Sequence, residues 1–353
     1  MRTEQAKALV EAAVAAGEVP GAVACAGSRE RVVLLTACGV TRLETPEAAP
    51  VTAKTLFDLA SLTKVVATLP ALLRLVEHGE IALNDPVRRF FASAGWFQTP
   101  SVAEATIRQL LTHTAGLPAW KPLFAVSDSR AVLAASVLQS ELAHTPGEVV
   151  YSDLGFMLLG LIMERVSGLR QDIFVARYVH EPLGMDQTRY GPIGGKVAAT
   201  EDCGWRNAVL CGVVHDENAY VMGGVAGHAG LFAPAQDIAR YAQAWLNFDP
   251  RLGSEALLLE AIREQARDAA GGRRALGWQL SAPGSSAGRY AGATAFGHTG
   301  FTGTSLWLDP DQGWFGVLLT NRIHPSRLGG QRIQSLRAAF HEALSEARCL
   351  TLP

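Results

Sequence analysis

The sequence predicts an α/β protein of the α+β type, in which one antiparallel sheet is flanked by helices. Strand-like runs of small and β-branched residues occur near the N-terminus and again near the C-terminus. Between them, segments with helical periodicity alternate with loops rich in glycine and proline. The simplest architecture is therefore a sheet built from both ends of the chain, with a helical insertion domain.

This pattern divides the chain into two predicted parts. Residues 1–55 and 270–353 are expected to form the sheet domain, and residues 56–269 the mainly helical domain. The length of 353 residues corresponds to about two domains. A composition of 48% hydrophobic and 18% charged residues is typical of ordered globular proteins. Since pockets often form where two domains meet, we expect the functional site at their junction.

The N-terminal region predicts a hairpin and then a helix. Ala22–Ala26 and Arg31–Cys38 read as strands that are joined by a turn containing Gly27. Apolar residues at helical spacing predict a helix over 61–78, and Pro70 is expected to kink it.

The rest of the chain contains further helices, one long loop and a closing sheet region. The predicted middle helices are Ala131–Leu142, Leu154–Val166, Gln171–Val179, Ala235–Leu246 and Ala256–Gln265. The glycine-rich stretch Tyr190–Gly230 is expected to be a functional loop, because loops of that length are uncommon in compact domains. Phe296–Gly303 reads as a turn, Thr304–Leu308 and Trp314–Thr320 as strands, and Arg332–Ala347 as a closing helix.

Charge and hydropathy argue against several classes of partner. The chain has 31 basic and 33 acidic residues, so it carries no basic surplus that would attract nucleic acid or an anionic membrane. The richest apolar run, Leu154–Met163, is too short to span a bilayer. The first residues lack the pattern of a signal peptide, which predicts a cytoplasmic protein, or a periplasmic or secreted one if a leader has been removed.

The cysteines do not form a recognisable pattern. They are too few and too scattered for a disulfide scaffold, no CxxC pair occurs, and the odd number leaves at least one thiol free. We therefore expect reduced, buried thiols in a reducing compartment. The cysteines are Cys25, Cys38, Cys203, Cys211 and Cys349.

Ser61 and Lys64 form an S-x-x-K motif at the start of a predicted helix. Residues three apart share a helix face, so the hydroxyl and the amine can meet. A serine hydroxyl becomes a good nucleophile once a base takes its proton, and a desolvated lysine can serve. On its own the motif is weak, since an N-cap serine followed by an exposed lysine gives the same pattern.

Two further polar triplets lie at element boundaries. Tyr151 and Asp153 supply a phenol and an acid where a loop meets a helix, although Asp153 alone could be a plain helix cap. The second triplet lies beside a strand and consists of His298, Thr299 and Gly300. It offers a cation and a hydroxyl, and its glycine lets a substrate approach the backbone closely, which suits an anionic or carbonyl substrate.

Together the three motifs resemble those of the serine β-lactamase and penicillin-binding protein superfamily, in the branch of class C β-lactamases, DD-peptidases and β-lactamase-like esterases. Residues 57–64 are similar to the nucleophile segment of that family, and residues 110–118 to its LLTHTSGLP segment. Residues 151–153 resemble its second motif and residues 297–303 its third. The likeness extends over nearly the whole chain and implies a β-lactamase-like fold.

The resemblance also implies roles for individual residues. Ser61 would be the acylated nucleophile, and Lys64 and Tyr151 would share proton transfer. The backbone amides of Ser61 and Phe301 would form the oxyanion hole. The substrate-binding residues would be Asp153, His298, Thr299 and Gly300. No metal and no organic cofactor is implied.

Two departures from the family pattern bear on the substrate. Asp153 stands where β-lactamases usually have asparagine, and an ionised carboxylate cannot donate a hydrogen bond. His298 stands where many members have lysine, and a histidine is only partly charged near neutral pH. Both differences favour an esterase or an amidase over an efficient β-lactamase.

Two other segments offer alternatives. Ser286 lies in a G-x-S-x-G sequence, but its surroundings predict a loop rather than the strand–turn–helix that a nucleophile elbow needs. His215, Asp216 and His228 could line the pocket as a flexible loop, could ligate a metal or could be structural, although their spacing matches no zinc pattern. Their segment resembles one found in muropeptide amidases of the superfamily.

The sequence therefore predicts a serine hydrolase that forms an acyl-enzyme on Ser61 and hydrolyses a small ester, amide or muropeptide. A β-lactamase or DD-carboxypeptidase is the alternative within the same chemistry. A second alternative, which is not a hydrolase, is a penicillin-binding protein that is acylated but does not release the acyl group.

Overall fold

The computed structural model describes residues 2–43, 48–91 and 102–345. Cys349 and the predicted last two residues of the closing helix lie outside the described residues. The four cysteines within the described part are free thiols.

The strands of the described residues form one large sheet and two small ones. They are β1 (Gly21–Ser28), β2 (Val32–Gly39), β3 (Phe57–Asp58), β4 (Arg189–Tyr190), β5 (Asp202–Cys203), β6 (Ala208–Val209), β7 (Leu231–Ala233), β8 (Ala266–Arg267), β9 (Arg273–Arg274), β10 (Gln279–Leu280), β11 (Phe296–Thr299), β12 (Ser305–Asp309) and β13 (Trp314–Thr320). The large sheet has the order β2-β1-β13-β12-β11-β10-β9-β8, and the small sheets are β3-β7-β4 and β5-β6.

The large sheet joins the two ends of the chain. β1 pairs antiparallel with β13, with Cys25 opposite Val317, and all other neighbours in this sheet are antiparallel as well. Side chains alternate between the two faces of a strand. Accordingly, Ala24 of β1 packs into the core on one face, while its neighbours Val23 and Cys25 pack into the core on the other. The predicted antiparallel sheet from both termini is confirmed.

Helices cover both faces of this sheet. The α-helices are α1 (Thr3–Ala15), α2 (Leu69–Glu77), α3 (Arg88–Phe91), α4 (Ile107–Leu111), α5 (Arg130–Leu138), α6 (Asp153–Ser167), α7 (Gln171–Val175), α8 (Glu217–Val221), α9 (Ala235–Leu246), α10 (Glu255–Ile262) and α11 (Ile333–Ser345). α1 and α11 pack together on one face, and α9 packs against β1 and β13 on the other. None of the helices in the described ranges is long and apolar enough to cross a membrane.

The helix predicted over 61–78 is interrupted. A 3-10 turn over Ala60–Leu62 and a π-helical turn over Lys64–Thr68 precede α2, in which Pro70 is the second residue. Proline has no N–H, so it cannot donate to the carbonyl of Val66 four residues earlier. The ring Nε2 of His180 lies 3.1 Å from that carbonyl oxygen instead. Burial lowers the pKa of His180 to about 4, so the ring is neutral and can donate its proton there.

Several boundaries differ from the sequence prediction. The stretch Phe296–Gly303, predicted as a turn, begins with strand β11, because its residues pair with β10 and β12. Strands β8, β9 and β10 have two residues each, which is too short for an alternating pattern to be visible. Helices α5 and α10 end at Leu138 and Ile262, earlier than predicted. Tyr190–Gly230 contains β5, β6 and α8 between its loops.

The division into two domains stays a prediction. Helix α9 belongs to the middle of the chain but lies on the sheet, and β8 extends the sheet from residue 266. The helices α2, α4, α5 and α6 pack on one another beside the sheet. The first sequence motif precedes α2 and the second leads into α6, whereas the third lies on β11 of the sheet and the turn after it.

Candidate active site

Ser61 lies in a tight turn that a buried carboxylate organises. Strand β3 ends at Asp58, whose side chain accepts a hydrogen bond of 2.8 Å from the amide of Ala60 and one of 2.7 Å from the amide of His215. Ala60 has a φ of 46°, a backbone conformation that costs energy for a residue with a Cβ atom. The two acceptor bonds therefore hold the nucleophile's turn in a conformation it would not adopt alone.

Lys64 lies at the centre of the site and is fully buried. Its Nζ lies 3.0 Å from Ser61 Oγ, 2.6 Å from Asp153 Oδ1 and 3.3 Å from the carbonyl oxygen of His228. Burial lowers the pKa of Lys64, whereas the Asp153 carboxylate and the Tyr151 hydroxyl raise it. The two raising effects together outweigh burial, so the pKa lies above its ordinary value. The lysine is therefore an ammonium ion that donates to the serine.

Tyr151 closes the site from the other side. Lys64 Nζ lies 4.8 Å from the centre of the tyrosine ring, and the phenol is close enough to Lys64 and Ser61 for both to lower its pKa. Burial raises the pKa of Tyr151, and the Lys64 charge opposes that rise. The phenol is thus within reach of the proton that Ser61 must lose, and the lysine stabilises the tyrosinate that would accept it.

His298 is not the cation that the sequence suggests. Its ring is buried on β11, and burial together with the charges of Lys64 and Arg274 lowers its pKa to about 3. Nδ1 lies 2.8 Å from the carbonyl oxygen of Thr299, so in the neutral ring this nitrogen is the donor. Nε2 is left as a hydrogen-bond acceptor. The expectation of a partly charged histidine in this motif was wrong, because the site desolvates it.

Gly300 lets the third motif approach the nucleophile's turn. A Cβ atom at this position would lie 2.1 Å from Thr304 Oγ1 and 2.4 Å from the carbonyl oxygen of Leu59, so only glycine fits. Arg337 of α11 secures the same turn by donating to the carbonyl oxygens of Gly300 (2.5 Å) and Thr304 (2.9 Å). This close packing brings the Phe301 end of the turn to the cavity that contains Ser61.

The loop predicted as a possible pocket wall does reach the site. His228 Nε2 lies 2.8 Å from Asp216 Oδ1, and His215 Nε2 lies 3.0 Å from Glu201 Oε2. The ring of His215 stacks on Phe301. Within the described ranges no three histidine, cysteine or acidic residues are grouped as metal ligands would be.

A cavity of about 540 Å³ lies over these groups. Of the predicted residues, it is lined by Ser61, Tyr151, Asp153, His215, Asp216, His228, His298, Thr299, Gly300 and Phe301. The sequence analysis missed Trp120, Arg274, Gln279, Arg322, Arg327 and Arg337, which also line it. These arginines lie on short strands, loops or a helix and carry no motif, so only the fold shows that they face the nucleophile.

Ser286 lies away from this cavity. Its hydroxyl accepts a hydrogen bond of 3.0 Å from Nε1 of the buried Trp307, and the residues around it form turns, as the sequence predicts. Among the residues that the structure describes, no histidine, lysine or carboxylate hydrogen-bonds with the Ser286 hydroxyl. The G-x-S-x-G sequence therefore lacks the strand–turn–helix geometry of a nucleophile elbow.

Comparison with known proteins agrees with this geometry. The profile of the family described as Beta-lactamase matches residues 6–339. A protein of Salmonella agona that is named as a D-alanyl-D-alanine carboxypeptidase is 34% identical over 309 residues, covering 77% of this chain and 71% of its own.

Solved structures show the same fold at lower sequence identity. The octameric penicillin-binding protein homologue from Pyrococcus abyssi superimposes with a TM-score of 0.77 at 21% identity, over 98% of this chain and 78% of that one. EstCE1, a hydrolase with promiscuous acyltransferase activity, gives 0.77 at 22% identity, over 96% and 98%. The chain therefore belongs to the β-lactamase family and is a β-lactamase-like serine hydrolase.

Proposed function

We propose that this protein hydrolyses a small ester or amide through an acyl-enzyme on Ser61. The observation that carries the proposal is the position of Lys64 Nζ, 3.0 Å from Ser61 Oγ and 2.6 Å from Asp153 Oδ1. This contact orients the serine hydroxyl beside Tyr151, whose tyrosinate form can take its proton. Catalysis then needs only groups that the chain itself supplies.

Acylation starts with a proton transfer. Tyr151 acts as the tyrosinate, after its phenol proton has been released to solvent, and takes the proton of the Ser61 hydroxyl as Oγ attacks the carbonyl carbon, while the carbonyl π electrons move to oxygen. The amides of Ser61 and Phe301 donate to that oxyanion. When the tetrahedral intermediate collapses, the leaving group departs with the proton from Tyr151, and Ser61 remains as an ester.

Deacylation reverses these roles. A water molecule enters the position of the leaving group and gives a proton to Tyr151 as its oxygen attacks the acyl carbon. Collapse releases the acid, and the proton returns to Ser61 Oγ. Because the ammonium of Lys64 lies beside Tyr151 throughout, its charge favours the phenolate in both half-reactions.

Two groups favour an ester or muropeptide amide over a β-lactam as substrate. Asp153 accepts from Lys64 and cannot donate to the side-chain carbonyl of a penicillin. His298 is neutral and provides no charge for a β-lactam carboxylate. A DD-carboxypeptidase is the second candidate, supported by the name of the Salmonella agona relative. A penicillin-binding protein that is acylated but does not turn over uses the same first step.

Covalent labelling tests the proposal. A fluorophosphonate and a fluorescent penicillin should each add to the peptide that contains Ser61, as located by intact-mass spectrometry and peptide mapping. Ser61→Ala should abolish labelling and hydrolysis of p-nitrophenyl esters. Ser286→Ala is the matched control and should keep both. An active enzyme without an adduct on Ser61 would disprove the acyl-enzyme mechanism.

Assays of several substrates in parallel distinguish an esterase or amidase from a carboxypeptidase and from a non-hydrolytic penicillin-binding protein. Steady turnover of p-nitrophenyl esters or muropeptides with little turnover of nitrocefin is the expected pattern. Release of D-alanine from a peptide ending in D-alanyl-D-alanine would identify the carboxypeptidase. A stoichiometric burst without further turnover on every substrate would identify a penicillin-binding protein.

A further inference from the structure

Asp58 is a buried aspartate that joins the nucleophile's turn to a distant segment of the chain. One carboxylate oxygen accepts from the amide of Ala60 and the other from the amide of His215, as described above. Burying a carboxylate costs stability, and two N–H donors offset part of that cost. The side chain therefore holds these two backbone segments at a fixed distance from each other.

The main chain of Asp58 is bonded to a third segment, the turn after β11. Its carbonyl oxygen accepts a hydrogen bond of 2.7 Å from Oγ1 of the buried Thr302. The ring of His215, whose amide Asp58 also holds, stacks on Phe301 with 5.6 Å between the ring centres and 22° between the planes. Two routes thus run from Asp58 to the part of the turn that carries Phe301.

These contacts surround the two amides that would form the oxyanion hole. Among the described residues, the amides of Ser61 and Phe301 donate to no protein acceptor, so both are free for a ligand. Ala60, held by the Asp58 carboxylate, directly precedes Ser61. Thr302, bonded to the Asp58 carbonyl oxygen, directly follows Phe301. Asp58 is therefore bonded one residue away from each amide.

We propose that Asp58 is a positioning residue that fixes the spacing between the two amide donors of the oxyanion hole. The inference rests on the proposed function, because these amides meet an oxyanion only when Ser61 attacks a carbonyl. Two donors stabilise one oxygen atom only if both lie within hydrogen-bond distance of it. Asp58 is not among the described residues that line the cavity, so it acts through the amides and not on the substrate.

A matched pair of esters measures how well the oxyanion hole is formed. The pair is p-nitrophenyl acetate and its thiono analogue, in which sulfur replaces the carbonyl oxygen, and both release p-nitrophenolate. Sulfur is a weak hydrogen-bond acceptor, so correctly spaced amides favour the oxygen ester. Each kcat/KM is divided by the rate constant of the same ester with hydroxide, and the quotient of the two values is the oxygen preference. The fraction of active enzyme cancels in this quotient.

Two variants weaken the two links separately. Asp58→Asn keeps the size of the side chain but turns an NH₂ group toward one of the two backbone N–H donors. Thr302→Val replaces only the hydroxyl that donates to the Asp58 carbonyl oxygen. If Asp58→Asn does not fold, Thr302→Val decides the test.

Asp309→Asn is the matched control. Asp309 is also a buried aspartate at the end of a strand, and its carboxylate accepts from the amides of Gly292 at 2.7 Å and Gln312 at 2.9 Å. It ends β12, whereas the third motif pairs with the other end of that strand, where Ser305 lies opposite Thr299. The control variant therefore creates the same conflict of donors away from the oxyanion hole.

The unmodified enzyme should prefer the oxygen ester. Asp58→Asn should lower kcat/KM for that ester roughly 100-fold and for the thiono ester by no more than about fivefold, because a small misplacement of a catalytic group has an effect of that size. Thr302→Val should reduce the oxygen preference by a smaller factor of roughly 3 to 10, since one hydrogen bond is lost. Asp309→Asn should keep the full preference, even if it is less stable.

Three results would overturn the inference. The first is an unmodified enzyme without an oxygen preference. The second is an equal loss on both esters in Asp58→Asn, which would assign Asp58 to the stability of the fold alone. The third is a loss of preference in Asp309→Asn as large as that in Asp58→Asn. If Ser61 of the unmodified enzyme does not react with a fluorophosphonate, the proposed function itself is wrong, whereas labelled Ser61 with an unchanged preference in Asp58→Asn removes only this inference.

Discussion

Lys64 Nζ lies between Ser61 Oγ and Asp153 Oδ1, so one ammonium ion joins the nucleophile to a carboxylate on the other side of the cleft. The carboxylate raises the pKa of Lys64 and, by the same negative charge, also raises the pKa of Tyr151. Asp153 thereby sets the protonation of both groups that could accept the serine proton. As an acceptor-only group it also determines which substrates can be bound beside it.

Replacing Asp153 with asparagine should move the acidic limb of the pH–rate profile to lower pH. Removal of the carboxylate lowers the pKa of Lys64 and of Tyr151, so whichever group is the base loses its proton more readily. The profile of kcat/KM for a p-nitrophenyl ester would report the shift. An unchanged profile would mean that Asp153 serves only as the first residue of α6.

The same variant should react faster with penicillins. An amide can donate to the side-chain carbonyl of the β-lactam, and one such hydrogen bond is worth on the order of 1 kcal/mol, or about a fivefold gain in acylation. The measurement is the rate of labelling by a fluorescent penicillin. Asp249→Asn, which alters a surface ion pair with Arg251, is the control and should change neither rate nor profile.

Adding one carbon at Gly300 should inactivate the enzyme. The new Cβ would meet Thr304 Oγ1 at 2.1 Å and the carbonyl oxygen of Leu59 at 2.4 Å, so the turn that carries Phe301 must move away from Ser61. We expect Gly300→Ala to lower kcat by at least about 100-fold, comparable with losing one oxyanion donor. Overpacking should also reduce the free energy of unfolding by about 1–3 kcal/mol.

Gly194→Ala provides the comparison for that substitution. A Cβ atom at Gly194 would have no neighbour within 4 Å, and its φ is not in the left-handed region. Activity and stability should therefore stay close to those of the unmodified enzyme. Full activity in Gly300→Ala would show that the third motif tolerates displacement from the nucleophile's turn.

Much of the site could be predicted because its residues fall in short, local motifs. The spacing of Ser61 and Lys64 places both on one turn, and the structure brings them to 3.0 Å. The charge of His298 could not be read in the same way. Its low pKa results from burial and from two cations that are distant in the sequence, Lys64 and Arg274. Arg274 itself lies on a two-residue strand without any pattern.

The fold shows the same limit. The β1–β13 pairing follows from strong strand patterns at both ends of the chain. For the helix over 61–78, the sequence predicts a kink at Pro70 but not the interruption before Leu69. The ring that hydrogen-bonds the carbonyl oxygen of Val66 belongs to His180, over a hundred residues later. Long-range partners of this kind leave no local signal in the sequence.

Hydrolysis should survive incubation with EDTA. One ring nitrogen of each histidine is already hydrogen-bonded to a carboxylate, His215 Nε2 to Glu201 and His228 Nε2 to Asp216. The proposed proton transfers run through Tyr151, which the ammonium of Lys64 stabilises as the tyrosinate. The rate of p-nitrophenyl ester hydrolysis before and after chelation is the measurement. A loss of activity that zinc restores would instead support a metal site at these histidines.

Buried histidines should make the fold sensitive to mild acid. Burial lowers the pKa of His180 to about 4 and that of His298 and His341 to about 3. The ordinary pKa of histidine is about 6.5, so below that pH the unfolded chain binds protons that the folded chain does not. Stability is therefore complete above about pH 6.5 and falls as the pH decreases toward the folded-state values. At about pH 5 each such histidine lowers the free energy of unfolding by about 2 kcal/mol relative to neutral pH.

Urea unfolding between about pH 6.5 and 4.5 tests this, in a range where most carboxylates remain ionised. His341→Gln should reduce the slope of unfolding free energy against pH by about one proton, because the buried ring bonded to Ser305 no longer titrates on unfolding. The slope is informative even if the substitution lowers stability at every pH. The exposed His78 is the control, and His78→Gln should leave the slope unchanged. A parent protein whose stability is flat across this range would show that these histidines are protonated in the folded state.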